Sequence, residues 1–268
     1  MARALSLAHL TAAPLLAPDM VTLASELGYQ HVGIRIHPAA PGGEFSPLIQ
    51  DRAMLSETRA RLRESDVTAF DIEIIRLNQQ FQLSDFAAFL DVCGELSARA
   101  ILVAGDDPDE TRLTANFVAL CEAAKPYDLT INLEFMPWVP VGNCRDARRI
   151  VESAAQPNGR VLVDALHVAR SVTSLDEIAA LPRTLLAYAQ ICDAPAGIPD
   201  TVEAIIHTAR CERLLPGDGG IPLRQMFAAL PSDLPVSIEI PHVHMKEKIG
   251  VRAWAARALA ASKQILDA

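Results

Sequence analysis

Residues 130–167 read TINLEFMPWVPVGNCRDARRIVESAAQPNGRVLVDALH. Two apolar runs, TINLEF (130–135) and VLVDAL (161–166), flank a stretch, Asp146 to Ala155, whose apolar positions recur at helical spacing. A strand, a helix and a second strand in that order require a crossover connection, which makes the two strands parallel. Each strand also carries one carboxylate near its end, Glu134 and Asp164, separated by 30 residues, about one strand–helix unit.

The same unit recurs in both directions from this stretch. Strand-like runs are ALSLAH (4–9), HVGIRI (31–36), TAFDIEII (68–75), AILVAG (100–105), TINLEF, VLVDAL, LLAYAQI (185–191) and VSIEI (236–240). Several are apolar at nearly every position, as expected of strands covered on both faces. Helical patterns lie between them: MVTLASELG (20–28) with Gly28 as a C-cap, Asp51 to Glu64, and Phe86 to Leu96 with Ser84-Asp85 as a cap. Thr111 to Ala124, Asp146 to Ala155, Leu175 to Ala180, Leu223 to Leu230 and Val251 to Leu266 complete the set. Eight strand–helix units predict an α/β protein whose sheet closes into a single (β/α)8 TIM barrel, one domain over 1–268. Its 268 residues are close to the roughly 250 typical of that fold. The rival, an open doubly wound sheet, is disfavoured because no GxGxxG follows the first strand.

Composition narrows the function. The net charge of −9 and the scarcity of lysine argue against a general nucleic-acid binder, which needs basic surface to neutralise phosphates. The five cysteines (Cys93, Cys121, Cys144, Cys192 and Cys211) are odd in number, widely spaced and without a CxxC pair. That disfavours a disulfide framework or zinc ribbon and fits a cytoplasmic protein. No segment is long enough to span a membrane. The first twenty residues, apolar with Arg3 early, weakly resemble a signal peptide, but they also read as a first strand, with Pro14 and Pro18 breaking any longer apolar run.

In a parallel barrel, chemistry sits where the strands end. Four strands here end in an oxygen donor: Glu134, Asp164, Gln190 and Glu239. Any one alone would be read as a strand-end residue bonded to a loop amide. Together, three converging carboxylates inside apolar strands repel one another and are costly to bury unless a cation joins them. Three carboxylates and an amide form a hard ligand set, predicting one divalent metal, Mg²⁺ or Mn²⁺ ahead of Co²⁺ or Zn²⁺. His167, three residues after Asp164, is a candidate for proton transfer or substrate orientation, against a surface histidine capping the next helix. Trp138 is a candidate pocket wall or a core residue. Arg35 and Arg76 after the second and third strands, and Arg210 in the long loop after the seventh, are candidates for binding an anionic substrate, against ordinary salt bridges. Glu73 is a pocket residue or a partner for one of these arginines, and Asp193 supports either the ligand shell or the turn before Pro195. LLPGDGG (214–220) lacks the GKS/T ending of a phosphate loop and reads as a turn shaping the mouth. His242 and His244 (PHVHM) fall on a loop after the last strand, and nothing marks Cys192 as a nucleophile.

At these positions, LEFMPW…LVDALH…QICDAP…LLPGDG…SIEI, the chain resembles the xylose-isomerase-like superfamily, which contains sugar isomerases and epimerases, inosose dehydratases and 3-dehydroshikimate dehydratases. The resemblance implies that Glu134, Asp164, Gln190 and Glu239 hold the metal. It also implies chemistry by proton removal next to a carbonyl, with Glu134 and Glu239 approaching the substrate from opposite sides. Sugar epimerases of the family usually carry histidine where this chain has Gln190. Glutamine followed by Asp-Ala-Pro looks more like the 3-dehydroshikimate dehydratase branch, although some dehydratases place a histidine at the position of Met136. The superfamily's endonuclease IV-type enzymes use a histidine-rich three-zinc site, unlike this carboxylate set.

Three functions follow as expectations. The first is a metal-dependent isomerase or epimerase of a small keto-sugar or related polyol, with Glu134, Glu239 and His167 as catalytic residues. The second is a dehydratase of a cyclic keto-acid or inosose, with His167 assisting departure of a β-hydroxyl. The third is a barrel that binds a ligand without turning it over. Convergence of two or more of Arg35, Arg76 and Arg210 in the pocket favours an acidic substrate; outward-facing arginines favour a neutral sugar. The expected partner is a small polyhydroxy or keto-acid molecule, with neither nucleic acid nor membrane, and with self-association left open.

Overall fold

The computed structural model describes residues 3–40 and 42–267. Eight strands close into a barrel in chain order: β1 Leu5–Leu7, β2 His31–Arg35, β3 Thr68–Leu77, β4 Ala100–Gly105, β5 Thr130–Glu134, β6 Gly159–Asp164, β7 Ala189–Ile191 and β8 Val236–Ile238. All pairings are parallel, and β1 closes on β8 through Leu5↔Val236 and Leu7↔Ile238. Among the described residues, twelve α-helices surround the barrel: α1 His9–Ala12, α2 Ala17–Leu27, α3 Arg52–Arg63, α4 Ala87–Glu95, α5 Glu110–Ala124, α6 Cys144–Ala154, α7 Ala165–Arg170, α8 Leu175–Ala179, α9 Val202–Cys211, α10 Leu223–Ala228, α11 Val243–Ile249 and α12 Val251–Leu266. The (β/α)8 expectation is met. No helix is long and apolar enough to cross a membrane among the described residues. The leader-like reading of the N-terminus covers Met1 and Ala2, which lie outside the described residues, whereas Leu5–Leu7 forms β1.

Several boundaries move, each for a local reason. Strand seven shrinks from the expected 185–191 to Ala189–Ile191, because Arg183–Leu185 turns as a short 3-10 helix. Ser84 and Asp85 do not cap α4; they lie inside the 3-10 turn Leu83–Phe86, and Phe86 takes the cap position without a side-chain bond. The loop expected around Arg210 is helix α9, capped by the Thr201 hydroxyl accepting from the Ala204 N–H. His242 does not end a loop but caps α11. Gly28 follows α2 at φ 82, the left-handed C-cap the sequence implied.

Outward side chains of the strands, such as Ile101, Val103, Ile131, Leu133, Val161 and Val163, pack under the helices. The bore holds Phe70, Ile74, Leu102, Leu162 and Tyr188. Strand β3 departs from simple alternation. Its register slips against β2 between Val32 and Ile34, and against β4 between Ile72 and Ile75. These bulges add residues on one strand, so TAFDIEII can bury polar and apolar groups inside the same short run. Asp71 is fully buried there, and both its oxygens lack a partner. Burial first, then the nearby Glu73, pushes its carboxyl well above the usual carboxylate range. Asp71 fits because β2 has no side chain opposite it: a Cβ on Gly33 would lie 2.7 Å from Asp71 Oδ2.

Gly33→Ala should therefore lower stability by ~1–3 kcal/mol in urea denaturation. The double variant Gly33→Ala/Asp71→Ala should recover part of the loss; no recovery would mean that Asp71 is not the obstructing group.

Candidate active site

The site lies at the C-terminal ends of the strands, where a cavity of about 310 Å³ opens. Its polar lining includes Glu134, His167, Glu239, Arg35, Arg76, Arg210 and Arg213, and Met136 and Trp138 form part of its apolar wall. The four expected donors reach this end by the stagger of the strands. Glu134 pairs in register with Leu162, two residues below Asp164 on β6. Asp164 pairs with Gln190, and Gln190 with Ser237, two residues below Glu239. Strand tilt in a closed barrel lifts successive residues to a common level.

Asp164 has two tasks set by its place in the chain. It ends β6 and is the N-cap of α7, where its Oδ1 accepts from the His167 N–H at 3.0 Å. That bond fixes the first turn of α7 and puts His167 inside the mouth, 2% exposed, rather than on the surface. His167 Nε2 is 3.4 Å from Glu134 Oε1, and its Nδ1 is buried without a partner. Trp138 meets the imidazole edge-on at 5.1 Å between centroids, so it is a pocket wall. Glu134, Asp164 and His167 each offer a ligand atom within 4.8 Å of the others.

The sequence analysis missed Arg213. Its side chain is 3% exposed, with Nη1 2.6 Å from Asp164 Oδ2 and Nη2 2.9 Å from Glu239 Oε2. Nε donates to the Ala209 carbonyl at 2.9 Å, and the Arg213 N–H donates to the Pro241 carbonyl at 3.0 Å. Antiparallel bridges Asp193↔Leu214 and Glu212↔His242 clip the flanking residues to the segments that follow β7 and β8. Nothing in CERLL (211–215) predicts this, because the partners are 49 and 26 residues away. Burial would raise the Asp164 carboxyl, but Arg213, His167 and the bonds it accepts bring it below the usual range. Glu239 goes the other way: burial, with Glu73, Glu134 and Asp164 nearby, raises it well above the usual range despite Arg213. Arg213 itself is held firmly protonated, since Asp164 and Glu239 outweigh its burial.

Gln190 is also fully buried, and both atoms of its amide lack a partner. An orphaned amide beside Asp164, together with the Glu134–Asp164–His167 group, fits a hard divalent ion. His167 stands with Glu134 and Asp164, while Glu239 is tied to Arg213.

The rim is cationic. Arg35 pairs with Glu73 at 2.6 Å, which settles Glu73 as a partner, and Arg76 pairs with Asp106 while its Nε donates to the Ala39 carbonyl. Arg210 has no ion pair or side-chain hydrogen bond among the described residues. Burial and then the nearby Arg76 and Arg35 lower its affinity for its proton. All three line the cavity. Asp193 is a loop clasp: Oδ1 accepts from the Ala194 and Ile221 N–H groups, and Oδ2 from those of Gly217 and Gly219. LLPGDGG is therefore a turn wound around Asp193. His242 and His244 do not line the cavity.

A model of the xylose isomerase-like TIM barrel family matches residues 21–265, and the chain belongs to that family. No curated protein matches the sequence. Solved structures with the same fold include the IOLI protein with a bound zinc atom (TM-score 0.82, 17% identity, covering 100% of this chain and 98% of that one). D-psicose 3-epimerase in the presence of D-fructose is similar at TM-score 0.72 and 14% identity, with both chains fully covered. The probable 3-DHS dehydratase AsbF of petrobactin synthesis from Bacillus anthracis is similar at TM-score 0.76 and 12% identity, covering 97% and 99%. At such identities the likeness establishes the fold.

Cys192 is fully buried, and burial pushes its thiol up to about 12. Iodoacetamide at pH 8 should leave Cys192 unmodified in the native protein and label it in urea, read by peptide mass mapping; rapid native labelling would contradict this burial.

Proposed function

We propose that this protein is a divalent-metal-dependent lyase that dehydrates a small cyclic keto acid. The observation that carries this reading is Arg210, a cation without a counter-anion among the described residues, on a cavity wall it shares with Arg35 and Arg76. A substrate carboxylate supplies the missing charge, and a guanidinium fork suits its geometry. Gln190 followed by Asp193-Ala194-Pro195 supports the same branch of the family.

The metal would be held by Glu134, Asp164 and Gln190, with Glu239 beside them, which leaves His167 free to carry a proton. When bound, it supplies positive charge for the oxygen that becomes negative as the proton next to the carbonyl leaves. Glu239, which lines the cavity and whose Oε2 pairs with Arg213, takes that proton. His167, against Glu134 and Trp138, protonates the departing β-hydroxyl so that it leaves as water. Met136 and Trp138 limit water at the reacting carbons.

The isomerase or epimerase reading keeps one specific support: Glu134 and Glu239 both face the cavity, as a proton-removing and proton-returning pair requires. Proton NMR in D2O with Mn²⁺ separates the two. With 3-dehydroshikimate as probe, the lyase reading expects new aromatic signals. Deuterium exchange without net loss in a neutral keto-sugar, and no reaction of the keto acid, would favour isomerisation.

Two variants test the roles. Glu239→Gln should lower kcat by ~10²-fold or more. Arg210→Ala should raise KM for the keto acid by ~10-fold or more with a smaller effect on kcat. An unchanged KM would remove the carboxylate assignment.

A further inference from the structure

Below the candidate site, the barrel bore carries a second polar layer that the chemistry above does not use. Side chains inside such a barrel stack in layers of four from alternate strands, and bulky branched residues dominate them. Register and strand tilt place Ser6 of β1, Asp71 of β3, Asn132 of β5 and Tyr188, just before β7, in one layer. Three of them stand two residues beneath Glu73, Glu134 and Gln190. All four face the bore: Leu5, Leu7, Ile131, Leu133 and Ala189 beside them pack outward, and Asp71 pairs with the bore residue Ala100. All four are polar and buried.

Each keeps an oxygen without a partner among the described residues: Ser6 Oγ, both oxygens of Asp71, Asn132 Oδ1 and the Tyr188 hydroxyl. Ser237 Oγ, facing the bore on β8, is a sixth. The Asn132 amide nitrogen donates to the Ile101 and Thr130 carbonyls at 3.3 and 3.1 Å, so the end left over is the oxygen. Of the charges around the Tyr188 hydroxyl, Asp71 acts most strongly, ahead of Glu134, Glu73 and Glu239, which brings these two side chains together across the bore. The absent side chain of Gly33 is what admits the Asp71 carboxylate. Buried oxygens that converge without bonding one another suit a cation. A hard cation holds its oxygens at roughly 2.3–2.6 Å, so those on opposite sides of it stand about 5 Å apart, beyond hydrogen-bond reach. The charge fixes the valence. Asp71 is the single carboxylate of the layer, and no cationic side chain stands in it among the described residues; Glu73 above is already paired with Arg35. One monovalent ion neutralises the layer. The raised Asp71 carboxyl belongs to the ion-free state, in which a proton takes the seat of the ion.

We propose that Ser6, Asp71, Asn132, Tyr188 and Ser237 hold one alkali cation in the bore, beneath the divalent-metal centre and separate from it. The ion ties five strands together at the floor on which Glu134 and Gln190 stand.

The test measures the melting temperature of the full chain at pH 8.5, where the proton competes less, in NaCl, KCl or choline chloride at equal ionic strength. EDTA is present throughout and removes any divalent ion, so the outcome does not depend on the lyase reading. Native protein should melt ~2 °C or more higher in NaCl or KCl than in choline chloride, and the shift should saturate as the alkali salt replaces choline. Asp71→Asn keeps the shape and removes the charge. It should melt in choline chloride at or above the native temperature and show no difference between the salts. Ser6→Ala should need ~5-fold more alkali salt for half the shift. Equal native melting in all three salts overturns the proposal. So does an alkali shift that survives in Asp71→Asn, because the ion then binds elsewhere. If Asp71→Asn does not fold, Ser6→Ala decides, and an unchanged half-saturation overturns the site.

Discussion

Three carboxylates, Glu134, Asp164 and Glu239, lie at the top of the barrel with no more than 4% exposure each. Burying one ionised carboxylate without a partner costs several kcal/mol, and three in one place repel one another as well. The surrounding structure is arranged around that cost. Arg213 answers part of it with a bidentate reach to two of the three. Helix α7 contributes the His167 N–H to Asp164, where a helix N-terminus favours negative charge. The bridges that flank Arg213, and the turn wound around Asp193, hold the arginine where both partners can be reached.

The charges of the mouth are layered. Carboxylates form the floor and arginines the rim. Arg35 and Arg76 each carry their own carboxylate partner, so they shape the wall without adding much net charge. Arg210 does not, and it stands beside two like charges. On the proposed reading, a field of this kind orients a molecule with an anionic end and an oxygen-rich reacting end. Met136 and Trp138 add the apolar surface that keeps the electrostatics strong by excluding water.

The fold by itself says little about the reaction. Proteins described as an epimerase and as a probable dehydratase share this barrel at similar TM-scores and low identity. What distinguishes one chemistry from another is the set of side chains projected from the strand ends and the following loops, which vary independently of the scaffold. In this chain those are Gln190, Met136, His167 and the three rim arginines.

Much of this was legible in the sequence. Eight runs of covered-strand composition and the helical patterns between them determined a closed parallel barrel, because hydrophobic periodicity and parallel connection are local properties. The strand-end positions of Glu134, Asp164 and Glu239 were also readable, since a carboxylate inside an apolar run stands out in one dimension. The double slip of β3 was not, because register depends on the strand next to it. Nor was the helix that turns His167 inward, which depends on a cap supplied by Asp164 itself. Arg213 was the largest omission. Its meaning lies in two partners 49 and 26 residues away, brought to 2.6 and 2.9 Å by closure of the barrel. Sequence showed that Glu134, Asp164 and Glu239 sit in apolar strands. Only the tertiary structure decided which of them face one another, because Coulomb energy depends on distance in space and the chain records only distance along itself.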